Sequence, residues 1–393
     1  MRTRLGTGVG SVVVLSAVSA VSAVLAVSAP AGAEASSGCA APSAPVLTTT
    51  TTTTTPTETT PAGTTTTGTT TAGTTTAPTT TAPTATVTTT TTQGQPTPVK
   101  ATTTTLSFSG LFTVAKAQVT VPRRSVEITG TIRPYVLGER FLVTESVGGG
   151  RVKTVKMAAM CLAGTNTGRF ALKLTAPRPG TVHVKVSHAA TPTMRAFKLG
   201  GSFDALNTNV GPGSTGRFVE LVQQQLAALH LFIPRTGRFD LGTELALDAY
   251  HRLLGQGEGV ETLGAKTVTA LLDGDGSFHV RYPKQGQHAE GDLSDQLLAF
   301  INGSKVYWIF PISSGKPSTP TILGNFQIYY KEPEYTSDGM YFSSFFHGGY
   351  AIHGYNPAPD YPASHGCMRL PMVDAIPAYG WTRVGDWVDT YYT

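Results

Sequence analysis

Apolar positions alternate with polar ones along several short stretches in the middle of the chain. Val182, Val184 and Val186 interleave with His183 and Lys185, and Phe170, Leu172 and Leu174 repeat the same period of two, which is the signature of half-buried strands. Val126-Glu127-Ile128 and Phe141-Leu142-Val143 add further strands, with Gly148-Gly149-Gly150 and Pro179-Gly180 as turns. An immunoglobulin-like β domain is therefore expected over 108–200. From Leu206 to Asp273 the period changes to that of a helix. Phe218, Leu221, Val222, Leu226 and Leu229 form one apolar face, and Ala246, Ala249, Tyr250 and Leu253 form a second, ended by Gly255. A short third helix fits Gly264 to Leu272. From Ser277 onward the pattern is again that of strands, and Gln296–Phe300 and Lys305–Ile309 flank Asn302-Gly303, a strong hairpin signal.

The pattern at the other end of the chain is different. Arg2 and Arg4 precede a Val/Ala/Ser-rich run from Val9 to Val27 that closes on Ala31-Gly32-Ala33, so 1–33 is expected to be a secretory signal peptide. The run is long enough to stay as a membrane anchor if it is not cleaved. Residues 34–107 are dominated by threonine with scattered Pro, Gly and Ala and cannot bury enough apolar surface to fold. A disordered linker is expected there, and its stretch from Thr48 to Thr105 would form a stalk reaching on the order of 180 Å if stiffened to about 3.1 Å per residue.

Composition changes this picture in few places. Charged residues make up 13% of the 393-residue chain, diluted by the threonine tract, and the net charge of +5 suits work near anionic wall polymers. Glycine-rich phosphate loops and nucleic-acid motifs are absent, so neither a nucleotide cofactor nor a nucleic-acid partner is expected. The cysteines are Cys39, Cys161 and Cys367, too few for a disulfide framework.

The chemistry concentrates in Ser364-His365-Gly366-Cys367-Met368-Arg369, preceded by Ala351-Ile352-His353-Gly354. A cysteine nucleophile needs an imidazole to take its proton or stabilise its anion. Two are available. In an extended segment His365 and Cys367 would share a face across Gly366, while His353 could approach from an adjacent strand. Zinc would need three or four ligands, and no CxxC accompanies the cysteine, so no metal is expected.

The order SSG, TPTILGNF, GGYAIHG, SHGCMR resembles the catalytic domain of L,D-transpeptidases of the YkuD type across nearly all of 277–393. The pieces Val219-x-x-Val222-Gln223-x-x-Leu226, Gly237-x-Phe239-x-x-x-Thr243 and Thr267-x-x-x-Leu271 resemble a peptidoglycan-binding three-helix module over 206–273. The implied fold is mainly β and multidomain, with a β-sandwich catalytic domain behind the helical module and the immunoglobulin-like domain.

The resemblance implies a cysteine that attacks a peptidoglycan stem peptide at the bond between diaminopimelate and D-alanine. A thioester forms, and the amine of a second stem then makes a link between two diaminopimelates. By motif position Cys367 is the nucleophile, His353 the proton carrier, His365 a supporting group, and Gly354 and Gly366 the orienting and oxyanion positions. Tyr341, His347, Gly348, Gly349 and Arg369 fall where the family contacts substrate, and Arg369 could equally pair with Asp374. The gap between His353 and Ser364 is shorter than the family's usual one and carries Pro357, Pro359 and Pro362. The expected setting is secreted and wall-associated, with stem peptides as substrate, glycan held by 206–273, and membrane contact only through an uncleaved N-terminus. Alternatives are an L,D-carboxypeptidase, a protein-to-wall transferase, or a wall-binding protein without catalysis. As separate units, 277–393 is expected to keep its chemistry without the stalk and 206–273 to raise the local substrate concentration.

Overall fold

The computed structural model describes residues 102–256 and 263–393; the N-terminal run, most of the threonine tract and Cys39 lie outside the described residues. The alternating stretches form strands β1 (Thr103–Ser109), β2 (Phe112–Val114), β3 (Ala117–Thr120), β4 (Ser125–Arg133), β5 (Arg140–Val147), β6 (Gly150–Ala158), β7 (Met160–Cys161), β8 (Gly168–Thr175), β9 (Gly180–His188) and β10 (Phe197–Ala205). They assemble into one sheet of order β1-β4-β8-β7 and another of order β2-β3-β10-β9-β5-β6. Ile128, Phe170 and Leu174 from the first sheet meet Phe141, Val143, Val182, Val184 and Val186 from the second in a shared apolar core. This is the burial that the period of two anticipates.

The helical stretch gives α1 (Arg217–Ala228), α2 (Leu241–Leu253) and α3 (Ala265–Asp273). Asp240 caps α2 by accepting the Thr243 backbone N–H, and Gly274 ends α3 in the left-handed conformation at φ 79°. The α1–α2 connection does not stay with the helices. Leu231 bridges to Ile309 in parallel, with Phe232 N–H donating to the Ile309 carbonyl at 3.0 Å and Ile309 N–H to the His230 carbonyl at 2.8 Å.

The C-terminal segment holds β11 (Gln287–Asp292), β12 (Leu297–Asn302), β13 (Lys305–Pro311), β14 (Gly324–Gln327), β15 (Tyr330–Tyr335), β16 (Tyr341–His347), β17 (Tyr350–Gly354), β18 (Met368–Leu370), α4 (Met372–Trp381) and β19 (Trp387–Tyr391). The hairpin at Asn302-Gly303 is present, between β12 and β13. One sheet runs β13-β12-β11-β19-β14 and the other β15-β16-β17-β18. Between them Leu298, Phe300, Phe310 and Val388 pack against Phe346, Ile352 and Met368.

Strand β12 is buried on both faces. Leu298 and Phe300 face this inner core, whereas Leu297, Ala299 and Ile301 join Ile309 in a second cluster with Leu221, Leu226, Leu247 and Tyr250 of the helices. That second cluster also takes Val114 and Val119 from β2 and β3. The helices thus share one apolar core with the sheet that underlies the C-terminal site, and a smaller part of it with the six-stranded N-terminal sheet.

Candidate active site

Strands β17 and β18 run parallel, with Ile352 opposite Met368, His353 opposite Arg369 and Gly354 opposite Leu370. Ile352 and Met368 point into the inner core, so His353 and Arg369 emerge on the opposite face. Cys367 sits in the bend that immediately precedes β18, where the Ala351 backbone N–H meets its sulfur. Cys367 carries a free thiol, which donates to the Gly349 carbonyl at 3.5 Å. Burial pushes the thiol pKa up, and the Ala351 backbone N–H and the Arg369 charge oppose this without cancelling it.

His353 is 2% exposed. Its Nδ1 lies 2.9 Å from the Gly354 carbonyl, and only an Nδ1–H can donate to that oxygen. The proton is therefore fixed on Nδ1 and Nε2 is left as the acceptor. Burial lowers the imidazole pKa to about 4; the Gly354 carbonyl works against the shift and the Arg369 charge adds to it. At rest the thiol and the imidazole are both uncharged.

Gly366 interrupts the extended backbone at φ 120°. A Cβ there would meet Tyr350 Cε1 at 2.3 Å, so both conformation and space require glycine. His365 consequently does not continue the alternation that would have placed it beside Cys367. It is exposed, and its Nε2 accepts from Lys316 Nζ at 3.2 Å. The Gly366 N–H donates to Ser364 Oγ at 3.0 Å, and the same hydroxyl donates to the Cys367 carbonyl at 2.6 Å.

Arg369 does not reach Asp374. Its guanidinium lies over the Tyr355 ring, 4.1 Å from the centroid, with Nη1 at 3.4 Å from the Ala363 carbonyl. Nε is buried with no partner. Tyr355 in turn meets the His353 ring edge-on at 5.8 Å. Asp374, on α4, is buried without an ion pair, and burial alone raises its pKa to about 7. The remaining sequence candidates lie on the β16–β17 hairpin. Gly348, at φ 50°, and Gly349 form its turn, and the Gly348 carbonyl accepts from the Tyr329 hydroxyl at 2.5 Å. Tyr341 meets Tyr335 at a tilt and Phe342 edge-on, and His347 is exposed against Phe326. Ser364, Lys316, Tyr355 and Tyr329 were not singled out by the sequence reading. Ser364 stands inside the motif already quoted and Lys316 directly after Ser313-Ser314-Gly315, so their hydroxyl and ammonium were the available signal.

Residues 286–389 match the family model of the L,D-transpeptidase catalytic domain, YkuD. Among solved structures, an L,D-transpeptidase from Xylanimonas cellulosilytica is 28% identical over 47% of this chain and 98% of its own, with a TM-score of 0.43. An L,D-transpeptidase from Stackebrandtia nassauensis is 21% identical over 47% of this chain and 96% of its own, with a TM-score of 0.31. The catalytic domain of an E. faecium L,D-transpeptidase is 25% identical over 27% of this chain and 98% of its own, with a TM-score of 0.25. No curated protein matches the chain.

Proposed function

We propose that this chain is a cysteine L,D-transpeptidase that acts outside the cytoplasm on peptidoglycan stem peptides and forms links between two diaminopimelates through a thioester on Cys367. The reading is supported by the pairing of β17 with β18, which sets His353 opposite Arg369, two residues beyond Cys367, with His353 Nδ1 engaged by the Gly354 carbonyl and Nε2 available. As the donor carbonyl reaches the sulfur, Nε2 takes the thiol proton while the C–S bond forms. The imidazolium returns that proton to the leaving amine of D-alanine as the tetrahedral intermediate collapses. Backbone N–H groups around Cys367 are the proposed oxyanion donors. An acceptor amine then attacks the thioester, His353 takes its proton, and the C–S bond breaks as the imidazolium returns that proton to the Cys367 sulfur. Arg369, with an unpartnered Nε on the same face as His353, is proposed to meet a stem-peptide carboxylate. The Tyr341–Gly349 hairpin would cover the donor.

The test is to incubate the full chain with a disaccharide-tetrapeptide donor, with a carbapenem, and with isolated cell wall. Expected are one drug mass on Cys367, release of D-alanine, and new diaminopimelate–diaminopimelate links in digested wall. Adduct formation with hydrolysis of the donor and no new links would instead indicate a carboxypeptidase. Absence of all three would leave a wall-binding protein.

The charge state of the pair sets a pH dependence. Neutral imidazole is the active form, so acylation should fall as pH drops through about 4, the His353 value, and stay level through neutrality. An acid limb near pH 6.5, the ordinary histidine value, would contradict a buried base. His353→Asn should slow acylation by roughly 100-fold or more and remove the acid limb, whereas His365→Asn should leave the limb in place.

A further inference from the structure

We propose that Arg252, on α2, is a positioning residue for the Cys367 loop and links the helical segment mechanically to the nucleophile; this rests on reading Cys367 as the reacting group. Arg252 is 4% exposed. It forms a bidentate pair with Asp248 one turn earlier, through Nη2–Oδ2 at 2.5 Å and Nε–Oδ1 at 3.2 Å. Its Nη1 donates to two backbone carbonyls of the C-terminal segment, Gln296 at 2.8 Å and Ile312 at 3.2 Å. Those carbonyls belong to separate pieces of chain, the turn before β12 and the residue after β13.

From there the hydrogen bonds run without a gap to the site. Gln296 is held at φ 52°, an uncommon conformation for a side-chain-bearing residue. Its side chain accepts the Ser314 N–H at 2.8 Å and donates to Ser314 Oγ at 2.8 Å. The Ser314 carbonyl receives the N–H groups of Ala363 at 3.0 Å and Ser364 at 2.9 Å. Ser364 Oγ then donates to the Cys367 carbonyl at 2.6 Å. Gln296, Ser314 and Ser364 are each 1% exposed. Water cannot replace a broken link there, and in such surroundings each bond reinforces the next.

A side chain that merely fastened a helix to a sheet would need one carbonyl. Arg252 spans two, at the point where the backbone is bent to present Gln296 to Ser314, and its charge is neutralised by a residue of its own helix. Only a guanidinium has the fork for this; a lysine ammonium is a point donor. Loss of the fork would let the Gln296 turn and residues 312–314 shift, and with them the support beneath Ser364. Displacement of a reacting group by about 1 Å is enough to cost on the order of 100-fold in rate.

The test compares wild type, Arg252→Met, Arg252→Lys and Ser314→Ala in the full chain. The readouts are thermal melting, amide hydrogen exchange, alkylation of Cys367 by iodoacetamide, and kcat and KM for D-alanine release from a tetrapeptide donor. Arg252→Met should lower kcat by about 10- to 100-fold with KM within about twofold. It should also speed exchange over 363–369 and change the alkylation rate, and Arg252→Lys should recover part of each. If Arg252→Met does not fold, Ser314→Ala carries the test with a several-fold fall in kcat and faster exchange over the same residues. A folded Arg252→Met or Ser314→Ala with wild-type kcat and exchange overturns the proposal, as does a loss spread evenly over the molecule. Faster local exchange and altered alkylation, in a protein whose wild type releases no D-alanine, would uphold the linkage and sink the enzymatic reading instead.

Discussion

Cys367→Ser should abolish both the carbapenem adduct and D-alanine release. The substitution keeps the size of the side chain and its place beside Gly349 and Ala351, so loss of folding is not the expected cause. What changes is the nucleophile. A hydroxyl needs a stronger base than a thiol does, and His353 has its pKa lowered to about 4 by burial. Such an imidazole can accept a thiol proton as the sulfur attacks, because the thiolate is already a good nucleophile, but it gives little driving force against a serine hydroxyl. Among the described residues no other cysteine offers a substitute thiol, since Cys161 is disulfide-bonded. The check is intact mass after incubation with each ligand, alongside a melting curve. Residual acylation of a folded Cys367→Ser protein would place the nucleophile elsewhere.

Removing residues 206–276 should leave 277–393 unable to reach a stable fold. Read as a string of modules, the C-terminal segment is self-sufficient. Its packing says otherwise, because Leu297, Ile301 and Ile309 are each no more than 1% exposed and are covered from the helical side. Burying a large aliphatic side chain contributes about 1.5–3 kcal/mol, so these three alone account for roughly 5–9 kcal/mol as an upper figure, against a typical total of about 5–15 kcal/mol for a domain. Phe232 adds to this by stacking on Phe310 and meeting Trp308 edge-on. The truncated segment is expected to aggregate or to bind a hydrophobic dye, with loss of activity on soluble donor and on wall alike. A monomeric, cooperatively melting 277–393 fragment with normal donor turnover would refute this and restore the picture of a tethered accessory module.

The sequence was legible wherever one face of an element meets water. Strands β8 and β9 showed their period because alternate residues are exposed, and α1 and α2 showed theirs for the same reason. Strand β12 reads as a plain apolar run, since both faces are covered, and nothing in it says that its second face belongs to the helices. Helix α4 went unseen. It contains Pro377 and Gly380, its residues are largely apolar, and it is held by packing on β16 and β17 rather than by propensity. Within the candidate site, Cys367 and His353 stood out because their side-chain chemistry is set on a short motif. The position of His365 was not, because alternation assumes an extended backbone and Gly366 departs from it. Arg369 allowed two partners on paper, and the structure sets it on Tyr355. Gln296, Ser314 and Arg252 could not be found at all, since each matters through contacts with distant parts of the chain.

A thiol kept protonated and largely enclosed has a consequence for durability. Peroxides and circulating disulfides react with thiolates, and reaction follows exposure as well as charge. Cysteines activated by a standing imidazolium are always partly in the vulnerable form. Under the proposed function Cys367, with its pKa raised by burial and the His353 imidazole uncharged, becomes anionic only when an electrophilic carbonyl is in place to receive the sulfur. Under the proposed chemistry such a residue is spared between turnovers, so loss to sulfenic acid should track the number of catalytic cycles rather than time.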